Sequence, residues 1–533
     1  MTNPYRTGRW YRRCGLVAAA MLFVLTGCTA TPNETEVADP SAPLPLGNFS
    51  YAANPCLDPL IPGMTLPSFG ADFTCGTLTV PQNREKPDGA VVTIPVARQR
   101  AQYPTAAMPP LLMLAGGPGE SGLVDALVTY SGLDLNKNRD VIYIDQRATL
   151  RATPFVPCPQ VDAFMQGALA KPSSDPGTKA ASNAAVAACS SQFRGEGIDL
   201  HAFNSLENAA DVASLRLALD IPEWDVYGVS YGSDVALQYL RDYPDGIRAV
   251  VADSVVPPQM NLADTLWPNA AKGFDALGTA CDAQPACQAM LPDLFGTLAT
   301  TVTDLDARPQ VVSVAAGDGP PVDVMVDGYK LASLVNSAAM AANGLVDMPA
   351  IIAAAGRGDV TPAAQVLATG AQPAPVPIVG SGLTYGVICG EAVAHTSAEV
   401  MFGAAKKSLP QFPDAVLGLT PRLPWLVGDC AAWNIGAVPD RVAQPANSTV
   451  PVLLLSGGLD GVTPPGNAAL AKATLPNAVV LTFPESGHGV LTQSDCGPAA
   501  VTGFLGDPSP SYRPQCLDTI AIPSFSTSLA GPA

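Results

Sequence analysis

Histidine is scarce in this chain: three in 533 residues, His201, His395 and His488. No two cysteines have the C-x2-C spacing, so neither residue type offers a zinc set. Charged residues make up only 14 % of the chain and aromatics 6 %. So little charge beside 48 % hydrophobic residues excludes a disordered polyelectrolyte and describes a folded, core-rich chain. Basic residues are outnumbered, 28 Lys and Arg against 46 Asp and Glu, for a formal charge of −18. That surplus disfavours nucleic acid and anionic membrane surfaces as partners. Nor is the apolar stretch near the start, Gly15 to Leu25, long enough to span a bilayer at about 11 residues.

What that stretch does fit is the h-region of an export signal. Arg6, Arg9, Arg12 and Arg13 precede it with no acid among them. It ends in Leu25-Thr26-Gly27-Cys28, which is similar to a bacterial lipobox. Residues 1–27 are therefore expected to be a lipoprotein signal, with Cys28 the acylated residue that anchors the protein in the membrane. Arg12-Arg13 with Leu16 faintly resembles a twin-arginine signal, and the export route stays open. Removing the signal would take the formal charge from −18 to −22. Residues 28–49, rich in Pro, Thr, Ala and acids, read as a flexible tether.

Beyond Cys14 and Cys28, ten cysteines remain: Cys56, Cys75, Cys158, Cys189, Cys281, Cys287, Cys389, Cys430, Cys496 and Cys516. An even number in an exported chain reads as disulfides. Spacing does not fix the connectivity; nearest-neighbour pairing into five short loops is the expectation.

From about Phe73 the pattern alternates strand, turn and helix. Strands are predicted over Thr77–Val80 and Val91–Val96, as a hairpin pair, then over Leu111–Ala115, Val141–Ile144, Asp225–Val229, Arg248–Ala252, Val452–Leu455 and Val479–Phe483. Helical spacing marks Leu206–Leu219, with Asn204 or Ser205 as N-cap, and a second helix from Ser233 to Tyr243, stopped by Pro244. Apolar strands alternating with helices predict a mostly parallel sheet covered on both faces. The rhythm lapses between about Pro257 and Pro445, which is Ala-rich and mainly helical in pattern. The expected organisation is an α/β core in two parts, 50–257 and 446–525, with a helical cap insertion over 258–445.

The strongest chemical signal is Asp225-Val226-Tyr227-Gly228-Val229-Ser230-Tyr231-Gly232-Ser233. A buried strand enters G-x-S-x-G and leaves as a helix, a turn so sharp that its flanks must be small. Ser230 is the candidate nucleophile. A serine needs a base, and two histidines follow it. His395 sits in a helical run within the insertion, whereas His488 stands between Gly487 and Gly489 after a late strand. His488 is the candidate base. Asp460, after the strand Val452–Leu455, is the candidate acid, and Asp253 its rival. The Tyr231 N–H should form one half of an oxyanion hole. The other half should come from the loop Gly116-Gly117-Pro118-Gly119, where Gly117 is the choice and Gly119 the reserve, because Pro118 has no N–H. The same loop matches G-x-G-x-x-G, with Asp145 ending the next strand, a fair dinucleotide fingerprint. Pro118 at the crowded turn and the complete Ser, Asp and His set argue against it.

These motifs give the chain its resemblance. Gly116-Gly117-Pro118-Gly119, Asp145-Gln146-Arg147, the Ser230 turn, Asp460 with Thr463-Pro464, Gly487-His488-Gly489, Cys389-Gly390-Glu391 and Cys430-Ala431-Ala432-Trp433 resemble the proline iminopeptidase branch of the α/β-hydrolases, and most closely the secreted tripeptidyl aminopeptidases. The resemblance spans roughly residues 50 to 520. It implies an α/β-hydrolase fold and release of short peptides from free N-termini, with no cofactor, nucleotide or metal. Glu391 is expected to recognise the substrate's amino group and Thr463 to contact substrate. Departures from the family pattern are Ala115 before the glycines, Ala148 after Asp-Gln-Arg, and Glu120 at a position often small. The expectation is a lipid-anchored serine peptidase on the outer face of the cytoplasmic membrane, acting on a peptide or protein substrate. A carboxylesterase or lipase with the same machinery is the alternative, and a non-catalytic binding lipoprotein a more distant one.

Overall fold

Short runs of valine, leucine and isoleucine, buried on both faces, build a nine-stranded sheet. In the computed structural model residues 42–529 are described, apart from 106–107, 316–319, 342 and 373–375. The signal 1–27, Cys28 and most of the tether lie outside the described residues. The strands are β1 (Ser50–Asn54), β2 (Phe73–Pro81), β3 (Val91–Gln99), β4 (Leu111–Leu114), β5 (Val141–Ile144), β6 (Trp224–Val229), β7 (Ile247–Asp253), β8 (Gln310–Val314), β9 (Val322–Val326), β10 (Val452–Gly457) and β11 (Ala478–Phe483). Their order in the main sheet is β1-β2-β3-β5-β4-β6-β7-β10-β11. The first three strands and the β3–β5 pair are antiparallel. From β5 to β11 the neighbours are parallel. Every residue of β4, β5 and β10 is buried, as both-face coverage requires.

This order makes the site. β4 lies between β5 and β6, so the chain reverses its direction of winding there and a crevice opens at the strands' C-terminal ends. The loops after β4, β6, β7, β10 and β11 all emerge at that edge.

The insertion between β7 and β10 is mostly helical and has its own apolar core, with Trp267, Phe274, Leu298, Val302, Phe412 and Trp425 buried in it. Five details depart from expectation. An edge strand, β1, precedes the predicted hairpin, and the insertion carries a β8–β9 hairpin of its own. A long helix, Pro176–Gly195, capped by the Asp175 carboxylate accepting from Thr178 N at 2.7 Å, packs on the insertion's helix Leu426–Trp433. The cap is thus drawn from two stretches of chain. The last residues read as tether are laid on the core: Leu46 and Phe49 pack there, and Tyr243 Oη donates to Leu44 O at 2.7 Å. At the other end Phe525 leaves the second half of the sheet and is buried in the insertion's core, its N–H donating to Gln284 Oε1 at 2.9 Å.

All ten cysteines pair with their neighbours in sequence: Cys56–Cys75, Cys158–Cys189, Cys281–Cys287, Cys389–Cys430 and Cys496–Cys516. The tripeptide Asp145-Gln146-Arg147, just after β5, ties the crevice together. Gln146 Nε2 donates to Ala115 O at 2.9 Å, steadying the end of β4. Arg147 is wholly buried and forks onto both Asp211 oxygens at 2.8 Å, while Arg84 meets Glu207 at 2.5 Å beside it. Each guanidinium is paired, as a buried charge must be.

Candidate active site

Gly228 and Gly232 permit the turn that presents Ser230. A β-carbon on Gly228 would stand 2.1 Å from Gly232 O, and one on Gly232 would stand 2.3 Å from Leu114 O. Between them Ser230 adopts φ 54° and ψ −122°, a left-handed conformation costly to a residue with a side chain. Three hydrogen bonds hold it there. Ser230 N donates to Asp253 O at 2.9 Å, Ser233 Oγ to Ser230 O at 2.6 Å, and Val256 N to Ser233 Oγ at 2.9 Å.

His488 follows β11, and its Nδ1 lies 2.9 Å from Asp460 Oδ2. Both side chains are buried. Asp460 also accepts from Val462 N at 2.7 Å, Thr463 N at 2.9 Å and Thr463 Oγ1 at 2.6 Å. Burial acts to raise its carboxyl, but the His488 charge and the bonds from His488 and Thr463 outweigh it and hold the group below its usual range. An acid kept ionised fixes the imidazole tautomer, with the proton on Nδ1 and the lone pair on Nε2. Nε2 is buried without a hydrogen-bond partner among the described residues, Ser230 included. Asp253, the rival acid, is committed elsewhere: it accepts from Val490 N at 2.9 Å, Leu491 N at 2.8 Å and Tyr227 Oη at 2.8 Å. Ser254 Oγ accepts from Gly489 N at 2.7 Å. The end of β7 therefore grips the His488 loop on one side and the Ser230 turn on the other.

Gly117 lines the same cavity as Ser230 and Tyr231. Tyr231 is the first residue of the helix Tyr231–Asp242, where N–H groups lack an intrahelical acceptor. Gly117 and Gly119 have φ +103° and +108°, which glycine alone adopts cheaply. Asp145 braces this loop, accepting from Ser121 Oγ at 2.6 Å, Leu123 N at 3.2 Å and Arg151 N at 3.0 Å. Those bonds account for the acid in the dinucleotide-like pattern without a ribose.

Residues 421–514 match the family model described as TAP-like protein. Serine protease Hip1 of Mycobacterium tuberculosis is 27 % identical over 266 residues, 48 % of each chain. Tripeptidyl aminopeptidase of Streptomyces lividans is 29 % identical over 204 residues, 36 % of each chain. These matches span about half the length of the curated relatives or less. A proline iminopeptidase structure from Mycobacterium smegmatis overlays with 15 % identity over 78 % of this chain and 95 % of that one, at a TM-score of 0.35, too loose to bear on the site. The strand order and the placing of the site are those of the α/β-hydrolase fold.

The cavity at Ser230 measures about 690 Å³ and is roofed by the insertion. Glu391 reaches it from a short π-helical turn, Ile388–Ala392, tethered by the Cys389–Cys430 bridge. Its Oε1 accepts from Ser205 N at 2.6 Å and its Oε2 from Ser205 Oγ at 2.8 Å, so it caps the helix Ser205–Ala218. Asp234, which the sequence reading passed over, lines the same wall and accepts from Gln238 Nε2 at 2.9 Å. Burial, then the proximity of Asp234, raises the Glu391 carboxyl to about 8; burial raises Asp234 to about 7. The only signal for Asp234 was its place one turn along the helix from Ser230.

Thr463, expected to contact substrate, lines the cavity, and its hydroxyl also donates to Asp460 and lies 3.1 Å from His488 Nδ1. His395 lines the cavity, with Nε2 3.1 Å from Val438 O, and His201 Nε2 lies 3.3 Å from Ala437 O. Among the described residues no group of three or more His, Cys, Asp or Glu could hold a metal ion.

Thr463 generates a test. Thr463→Val removes one donor to Asp460, an interaction of about 1–1.5 kcal/mol. Steady-state kinetics should show kcat lowered about 10-fold with KM nearly constant. A rise in KM alone would return Thr463 to a substrate-contacting role.

Proposed function

We propose that this α/β-hydrolase is a serine peptidase that releases short peptides from free N-termini. The observation that carries the reading is the buried Asp460–His488 pair, whose free Nε2 belongs to a loop gripped by the same strand end as the Ser230 turn. In this mechanism Ser230 Oγ attacks the scissile carbonyl carbon and gives its proton to His488 Nε2. Asp460 stabilises the imidazolium, and the N–H groups of Tyr231 and Gly117 hold the oxyanion. His488 then protonates the leaving amine. Water, deprotonated by His488, releases the acyl group from Ser230. The printed names of the relatives, a serine protease and a tripeptidyl aminopeptidase, support peptides as the substrate class.

Asp234 and Glu391 supply the feature an aminopeptidase needs. Two carboxylates held close together in a buried wall repel each other, and an ammonium group between them relieves that repulsion. Export and an acyl anchor at Cys28 complete the proposal, resting on the lipobox-like sequence alone. Among the described residues no helix is long and apolar enough to cross a membrane.

Ser230→Ala should lower kcat on the order of 10^6-fold without unfolding the protein, and a serine-directed phosphonate should label the wild type at Ser230 only. Labelling retained in the variant would refute the assignment. The paired carboxylates give a pH test with a definite sign. They are protonated and neutral below about 7, so the attraction for an ammonium is lost as pH falls. KM for a free tripeptide amide should rise between pH 8 and pH 6, while that for its N-acetyl analogue stays level; Glu391→Gln should raise KM about 10-fold for the free peptide only. Parallel profiles for both peptides would remove the pair from amine recognition. For the anchor, Cys28→Ser should abolish acyl labelling and release the protein from the membrane fraction; unchanged labelling would sink it.

A further inference from the structure

One cation stands in the wall of this cavity. Among the described residues lining it, Arg422 is the sole lysine or arginine, against the carboxylates of Glu120, Asp234, Glu391 and Asp440. Arg422 is exposed to the cavity, and its guanidinium makes no ion pair and no hydrogen bond with any described residue, whereas the buried Arg84, Arg139 and Arg147 are each paired within the fold. The backbone presents it deliberately. Arg422 has φ +69°, in the left-handed region, on the loop Pro421-Arg422-Leu423-Pro424. That loop is tied down: Tyr329 Oη donates to Thr420 O at 2.9 Å, Arg422 N to Ser333 Oγ at 3.3 Å and Leu423 N to Pro421 O at 2.9 Å. A non-glycine residue kept in that conformation by its surroundings marks a side chain whose direction matters.

Arg422 lines the same cavity as Glu120, Ser230 and Thr463. Glu120 is beside the nucleophile: a β-carbon on Gly116 would lie 3.1 Å from Glu120 Oε2 and 3.3 Å from Ser230 Cβ. Arg422 therefore shares a cavity wall with Ser230 and Glu120. An unpaired guanidinium there offers a planar, two-pronged donor for a carboxylate.

We propose that Arg422 binds a carboxylate of the substrate close to the scissile bond, so that the cavity favours peptides carrying a negative charge there as well as a positive N-terminus. The carboxylate is either an acidic side chain or the free C-terminus of a short peptide. This rests on the peptidase reading above.

Binding measured by calorimetry tests it without turnover, in Ser230→Ala and in Ser230→Ala/Arg422→Gln. Two matched pairs of tripeptides are used: Asp against Asn as side chain with the C-terminus amidated, and free acid against amide with neutral side chains. In Ser230→Ala at least one pair should show about 10-fold tighter binding of the charged member, and the pair that does identifies the source. The preference should vanish with Arg422→Gln. Glu120→Gln in the Ser230→Ala background keeps Arg422 and removes the competing carboxylate, so it should widen the preference. Equal affinities in both pairs, no binding of any tripeptide, a preference that survives Arg422→Gln, or one unchanged by Glu120→Gln would each overturn the proposal. Peptide hydrolysis by the wild type is assayed separately: its absence beside a charge preference in binding would refute the peptidase reading and leave Arg422 as a carboxylate site.

Discussion

The turn at Ser230 is the constraint on which the rest of the site depends. Holding a serine at φ 54° costs about 1–3 kcal/mol, so the surroundings must over-determine it. They do so by close approach and by hydrogen bonds. Gly232 rides against Leu114 O, which sets the nucleophile helix directly on β4 and brings the loop after β4 beside Ser230. Asp253 accepts the Ser230 N–H on its carbonyl and the N–H groups of Val490 and Leu491 on its carboxylate. One residue at the end of β7 thus relates the nucleophile turn to the histidine loop. The side chain weighed as a rival acid is instead the connector between the two halves of the machinery.

Charge burial is the second constraint, and it is handled in two ways. In the core the acids are answered by the chain itself. Asp211 and Glu207 meet Arg84 and Arg147, and Asp225 meets Arg139 and Arg248. In the cavity they are not. Asp234 and Glu391 take their hydrogen bonds from neutral donors, and burial raises both carboxyls in spite of the Arg241 charge, which acts to lower them. Unanswered charge of this sort is unfavourable in the empty protein and favourable once a cation arrives.

Much of the sheet was legible because parallel strands buried on both faces are short, nearly unbroken apolar runs. Val141–Ile144 begins and ends where the sequence pattern put it, and the hairpin of β2 and β3 extends the predicted runs by a few residues. β1 was not legible: Ser50-Tyr51-Ala52-Ala53-Asn54 is an exposed edge with no apolar run to betray it. β8 is likewise mostly exposed. At the site, the residues that sequence singled out are those whose backbone demands small neighbours, Ser230 between Gly228 and Gly232 and His488 between Gly487 and Gly489. The direction of the Thr463 hydroxyl depends on a fold-level contact that no local pattern encodes. The left-handed conformation of Arg422 leaves no mark in the sequence either, since arginine is an unusual choice for it.

The two parts of the molecule divide the work. Ser230, Asp460 and His488 all stand on loops at the C-terminal ends of core strands, where the sheet fixes them against one another. Glu391 and Arg422 stand on the insertion, much of which has its own apolar core, although the turn that carries Glu391 packs Ile388, Cys389 and Ala392 into the core of the sheet. Among the contacts that couple the parts, two bear on the site. Glu391 caps the core helix Ser205–Ala218 through Ser205, and His488 N donates to Ala339 O of the insertion at 2.7 Å. The second contact has the greater consequence. The backbone of His488 is itself held by the cap, so a movement of the insertion large enough to admit a bulky ligand would also release the His488 loop on that side. On the peptidase reading proposed above, a roof fastened to the base in this way favours short, flexible chain ends that enter the cavity over folded segments that would have to lift it.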